Sequence, residues 1–156
     1  MSARNAGGRS VEISSGSRKR RTAGRIVLGS FLAFAGISHL TFAREEFTAQ
    51  VPDFVPLSED TTVLASGVAE ITLGTALLFV KRKRTLVGWV VAAFFVAIFP
   101  GNIAQYVNRV DAFGLSTDAA RLARLPFQPV LILWALWSTG AWHAFRAARA
   151  RRSRTR

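Results

Sequence analysis

The chain has 156 residues, 50% of them hydrophobic, with 21 Lys and Arg against 9 Asp and Glu and no cysteine. That length leaves room for one domain, and the lack of cysteine excludes disulfides, thiolate metal centres, cysteine-held iron–sulfur clusters and thiol redox chemistry within the chain. A formal charge of +12 would point to nucleic acid in a water-soluble protein. Here most basic residues flank apolar stretches, where they set membrane orientation and meet anionic lipid head groups, so no nucleic-acid partner is expected.

Residues 1–24 contain Ser, Gly and the run Arg18-Lys19-Arg20-Arg21 with no apolar periodicity, which predicts a disordered basic cytoplasmic tail. The first apolar stretch, 26–42, follows a basic segment too long for a signal peptide and is read as an uncleaved membrane helix. Three more follow, at 63–80, 86–107 and 127–145, each close to the roughly 17–25 residues a helix needs to cross a bilayer.

The connections differ in charge. Glu45, Glu46, Asp53, Glu59 and Asp60 stand against Arg44 in the first, where Val51-Pro52-Asp53-Phe54-Val55-Pro56 predicts an extended or turn segment resting at the interface. The second is only Lys81-Arg82-Lys83-Arg84, which makes the second and third spans antiparallel neighbours, the most secure helix contact the sequence offers. In the third, Ser116-Thr117-Asp118 ahead of Ala119–Leu125 reads as an N-cap and a short surface helix. Residues 146–156 are a second basic tail.

Seven Lys or Arg precede the first stretch, four lie between the second and third, six follow the fourth, and four occupy the other two connections. Basic residues accumulate in cytoplasmic loops, so both termini should be cytoplasmic. The predicted fold is all-α: an integral membrane antiparallel four-helix bundle over 25–145, multi-pass in the cell membrane, between tails at 1–24 and 146–156.

Polar side chains inside spans are costly and usually face protein or water. They are His39 in the first span, Glu70 in the second, Asn102 and Gln105 in the third, and Gln128 in the fourth. At about 1.5 Å per residue, Glu70 falls near mid-depth and the others on its outer side, so all four helices send a polar group toward one half of the membrane. Glu70 shares a face with Ser66, Gly67 and Gly74, and His39 with Ala35 and Gly36, small residues suited to helix packing. Asn102, Gln105, Tyr106 and Arg109 form a polar stripe just beyond Pro100-Gly101, a pair expected to kink the helix. His143 lies at the opposite membrane face from His39, so the two cannot ligate one haem, and no metal site is expected.

Several of these segments together resemble the DoxX-like family of small four-helix membrane proteins. They are Ala35-Gly36-Ile37-Ser38-His39, the proline-bounded Val51–Pro56, Ser66-Gly67-Val68-Ala69-Glu70-Ile71, Phe99-Pro100-Gly101-Asn102-Ile103 and Leu125–Trp137. The resemblance covers residues 25–142 and puts His39, Glu70, Asn102 and Gln128 at the family's recurrent polar positions. It implies a membrane or peripheral redox partner, since some relatives are linked to quinone-coupled oxidation of sulfur compounds or to oxidative-stress complexes.

Three functions are expected from these readings, with turnover and homo-oligomerisation left open. The leading one is a non-haem subunit or accessory factor of a redox or envelope-stress system. It carries no intrinsic cofactor, and its outer-half pocket of His39, Glu70, Asn102, Gln105 and Gln128 holds a quinone or lipid head group. The second is a noncatalytic scaffold or assembly factor, and the third a small proton-coupled transporter centred on Glu70.

Overall fold

The computed structural model describes residues 5–154, with side chains over residues 15–153. Among the described residues there are seven α-helices and no strand: α1 Asn5–Leu40, α2 Arg44–Thr48, α3 Glu59–Phe79, α4 Arg84–Val107, α5 Asp118–Arg124, α6 Phe127–Thr139 and α7 Ala141–Arg154. Three are long and apolar enough to cross a membrane: Ser15–Leu40 within α1, α3 and α4.

Local chemistry sets several boundaries. Ser58 caps α3 by accepting the Thr61 N–H at 3.2 Å, with Glu59 and Asp60 favouring the positive end of the helix dipole. Thr117 caps α5 in the same way through the Ala120 N–H, as its sequence predicts. Pro100 lies inside α4 and has no N–H, so the usual helical donor to the Val96 carbonyl is missing.

Two expectations about extent are corrected. The basic segment expected as a disordered tail is helical from Asn5, continuous with α1; its first four residues, and the last two of the C-terminal tail, lie outside the described residues. The fourth apolar stretch, 127–145, is not one helix. Gly140 takes a left-handed φ of 76° that ends α6 after 13 residues, about 20 Å, and the chain restarts as α7.

α3 and α4 are in contact, as their short connection predicts, but other pairs pack more extensively. α1 runs antiparallel to α3 in the most extensive contact of the molecule, α4 pairs with α6, and α3 and α4 touch more sparingly despite the short turn between them. Glycine explains this. A Cβ on Gly36 would fall 2.5 Å from the Gly67 carbonyl oxygen, and one on Gly74 would fall 2.6 Å from both the Gly29 oxygen and the Ala33 nitrogen. Backbones this close exclude any side chain, and the seven-residue spacing repeats on both helices, keeping the seam in register.

The two pairs close on each other at the end carrying both tails and the 80–83 turn. Leu28, Leu32, Leu77, Val91, Phe95 and Ala135 form the core there. Gly24 lies under Trp137, and Gly88 is pressed against the Thr139 side chain. Buried Arg25 donates from Nη1 to the Leu77 carbonyl at 2.5 Å, satisfying one of the last carbonyls of α3 from the neighbouring helix. At the opposite end, α2, α5 and the intervening loops cover the bundle.

Candidate functional site

Toward that loop end the two helix pairs separate around a cavity of about 480 Å³, within the range of small-molecule sites. α1 and α3 supply Phe31, Leu32, Ala35, His39, Ser66 and Glu70; α4 and α6 supply Phe95, Ile98, Asn102, Gln128 and Leu131. The Val51–Val55 segment lies across it, with Val51, Pro52, Phe54 and Val55 among the lining residues. Apolar walls with a few convergent polar groups suit a ligand that is partly apolar and partly hydrogen-bonding.

His39 and Glu70 face each other across the α1–α3 seam. His39 Nδ1 is 3.0 Å from Glu70 Oε2 and 2.8 Å from the Ala35 carbonyl oxygen, with side-chain exposures of 8% and 5% for the pair. Both neighbours are acceptors, so Nδ1 carries a proton, and its hydrogen bond goes to Ala35. Glu70 Oε2 is consequently buried with no hydrogen-bond donor, although it lies within ion-pair distance of the imidazole. Buried polar atoms normally find a partner, and an unmet carboxylate oxygen on a cavity wall is a place for a donor from outside the chain. The Phe47 ring stacks on the imidazole, centroids 3.3 Å apart, which fixes its plane.

The opposite wall is better satisfied. Asn102 donates from Nδ2 to Gln128 Oε1 at 3.1 Å, and Gln128 donates from Nε2 to the Phe95 carbonyl at 2.6 Å. These bonds tie α4 to α6 beside the proline, and leave the Asn102 carbonyl and one N–H of each amide for further partners.

The five residues expected at the site therefore divide. His39, Glu70, Asn102 and Gln128 all line the cavity. Gln105 does not: it is buried below the loops, donating to the Ala112 carbonyl and accepting from Arg124 Nη1 at 2.7 Å. Arg109, the last residue of the expected polar stripe, lies beyond α4 with a left-handed φ of 54° and pairs with Asp118 at 3.5 Å.

Arg124 is a lining residue that the sequence reading missed, as are Phe47 and Gln50. Its guanidinium lies 5.2 Å over the Phe113 ring, and burial pulls its pKa below the ordinary arginine value. It remains a cation at neutral pH. Phe113 has a left-handed φ of 57°, held by its N–H donating to Glu46 Oε2 at 2.5 Å and by the edge of Phe47. Nothing in the sequence separates Arg124 from Arg44, Arg109 and Arg121 in the same connections.

No curated protein and no solved structure matches the chain. A family model, Domain of unknown function (DUF8561), matches residues 28–139, from the first core leucine of α1 to the last residue of α6, and the chain belongs to that family.

Proposed function

We propose that this protein is a multi-pass integral membrane protein that binds an amphipathic molecule, a quinone or a lipid head group, in a cavity within the outer half of the bilayer. The fourth crossing is made by α6 with the first turn of α7, so that the basic runs 18–21, 81–84 and 146–156 lie together at the cytoplasmic face. Exposed Phe34, Phe79 and Leu133 would then meet acyl chains.

The reading is carried by one observation: Glu70 Oε2, buried and without a donor, beside a stacked histidine on the wall of a largely apolar cavity. A hydroxyl or amide on a ligand head would complete it, and His39 and Glu70 could pass a proton to or from that head. Asn102 and Gln128 would hold its other side. The resemblance to DoxX-like proteins favours a role as a non-haem subunit or accessory factor of a membrane redox or envelope-stress system, with the loops toward a partner.

Photolabelling purified protein with an azido-quinone, followed by peptide mapping, tests the cavity. Labels should concentrate on α1, α3 and the 50–55 segment and fall sharply when His39→Ala and Glu70→Gln are combined. Labels spread over lipid-facing positions such as Phe79 and Leu133, unchanged by the double variant, would refute the site.

A noncatalytic scaffold is the second reading, favoured by the Asn102–Gln128–Phe95 bridge, whose polar atoms fasten α4 to α6. It predicts a co-purifying partner complex that survives the His39 and Glu70 substitutions. A proton-coupled path has less support. Beyond Glu70 toward the tail end the core is Leu28, Leu32, Leu77, Val91, Phe95 and Ala135.

A further inference from the structure

Four arginines occupy the loop end of the molecule, and three of them face acids. Arg44 makes a two-pronged contact with Asp60, Arg109 meets Asp118 at 3.5 Å, and Arg121 is gripped by Asp111 and Asp118. Arg124 differs. Its Nη1 donates to the neutral amide oxygen of Gln105 at 2.7 Å, its Cζ lies over the Phe113 ring, and among the described residues no carboxylate pairs with it.

A guanidinium partly withdrawn from water without a counter-ion is costly, more so than one whose charge is met by a carboxylate, as at Arg121. The acids of the same corner do not relieve the cost. Glu46 gives Oε2 to the Phe113 N–H, and Glu70 is set against His39. Arg124 lines the cavity and also the shallower groove formed by Phe113, Leu115, Ala120, Ala123 and Phe127, so it stands where the two meet. One N–H is bound to Gln105 and the Cζ lies 5.2 Å from the Phe113 ring centroid, which anchors the guanidinium at two points and leaves its other donors for gripping an oxyanion through parallel hydrogen bonds.

We propose that Arg124 is the anion-recognising residue of this cavity, and that the amphiphile it takes carries a carboxylate or phosphate head on an apolar chain. The inference rests on the cavity reading above and names the chemistry of its occupant. The head lies against Arg124, and the chain extends among Phe31, Leu32, Phe95 and Leu131. A neutral head would leave the arginine without the charge it lacks.

Native mass spectrometry of the full chain in mild detergent, titrated separately with palmitate, palmitoyl lysophosphatidate and hexadecanol, tests this. At least one of the two anions should bind about tenfold or more tighter than hexadecanol, and the better one identifies the head. Arg124→Gln should bring that anion to the hexadecanol level while leaving hexadecanol binding intact, which also shows that the variant is folded. Arg124→Lys should recover part of the difference. Anion binding unchanged in Arg124→Gln, or hexadecanol equal to both anions on the native chain, overturns the proposal.

Ser66→Trp, which fills the cavity, separates this from the reading beneath it. Loss of all three probes in Ser66→Trp, with anions retained in Arg124→Gln, removes only the arginine's role. Probes that bind Ser66→Trp as well as the native chain remove the cavity and the proposal together.

Discussion

The same four helices build two unlike halves. At the tail end the α1–α3 and α4–α6 pairs meet in a dry core, with Leu28, Val91 and Ala135 fully buried and glycines at the closest approaches. At the loop end each pair stays together but the pairs part, and His39, Glu70, Asn102 and Gln128 line the gap. The difference lies in which residue sizes face the space between pairs. Gly24 lets α1 close on α6 at the tail end, whereas Phe31, Phe95 and Leu131 line the gap toward the loop end, and Val51–Val55 covers the opening. Stability is thereby concentrated in one half, and the other is left free to carry unmet polar groups.

The largest expected effect comes from the seam that both halves share. Gly74→Ala places a methyl group 2.6 Å from two backbone atoms of α1, neither of which can rotate away, and should cost about 3 kcal/mol through forced separation of α1 and α3. Unfolding by SDS in mixed micelles measures it. A cost near zero would mean that the pair is looser than its glycines indicate.

Arg25→Gln comes next. It removes a charged donor from the Leu77 carbonyl in the packed half and should cost about 1–3 kcal/mol in the same assay, because the carbonyl stays buried when its partner is lost. No comparable loss is expected from Glu70→Gln in the hollow half. Glu70 Oε2 has no donor to lose, and a neutral amide is cheaper to bury than a carboxylate, so stability should change by less than about 1 kcal/mol while amphiphile binding falls. If Glu70→Gln destabilises as much as Arg25→Gln, the carboxylate is a structural element and the contrast between halves fails.

Much of this division was legible in the residues. The cap at Thr117, the small residues beside Glu70 and His39, and the gathering of polar groups from four helices toward one half follow from side-chain chemistry and helical periodicity. Other features were hidden for physical reasons. Gly140 sits in an apolar run whose mean hydropathy is insensitive to backbone φ, so the break between α6 and α7 could not be read from it. The four-residue turn fixes that α3 and α4 are adjacent in sequence, but backbone approach at glycines decides which helices pack most closely, and that favours α1 with α3. Gln105 is one turn beyond Asn102 and seemed to extend its stripe, yet Arg124 and Ala112, from a distant loop, draw it away from the cavity. Arg124 itself has meaning only once its neighbours are known to lack a carboxylate.

The smallest expected effect is the sharpest control on the comparison. Gly101 is a helical glycine like Gly74, but it lines the cavity, and a Cβ there would meet only the Gln50 carbonyl, at 3.4 Å, an ordinary contact. Alanine replaces glycine in a helix with a gain of up to about 1 kcal/mol when nothing obstructs it. Gly101→Ala should therefore leave stability unchanged or raise it slightly, in the same assay where Gly74→Ala is severely destabilised. Because Gly101 follows Pro100, added stiffness there would also hold α4 more firmly beneath the Val51–Val55 cover, slowing entry of hexadecanol without changing its final occupancy. A destabilisation matching that of Gly74→Ala would show that the loop end is packed as tightly as the seam, leaving no room for the ligand that the unmet Glu70 oxygen and the unpaired Arg124 both call for.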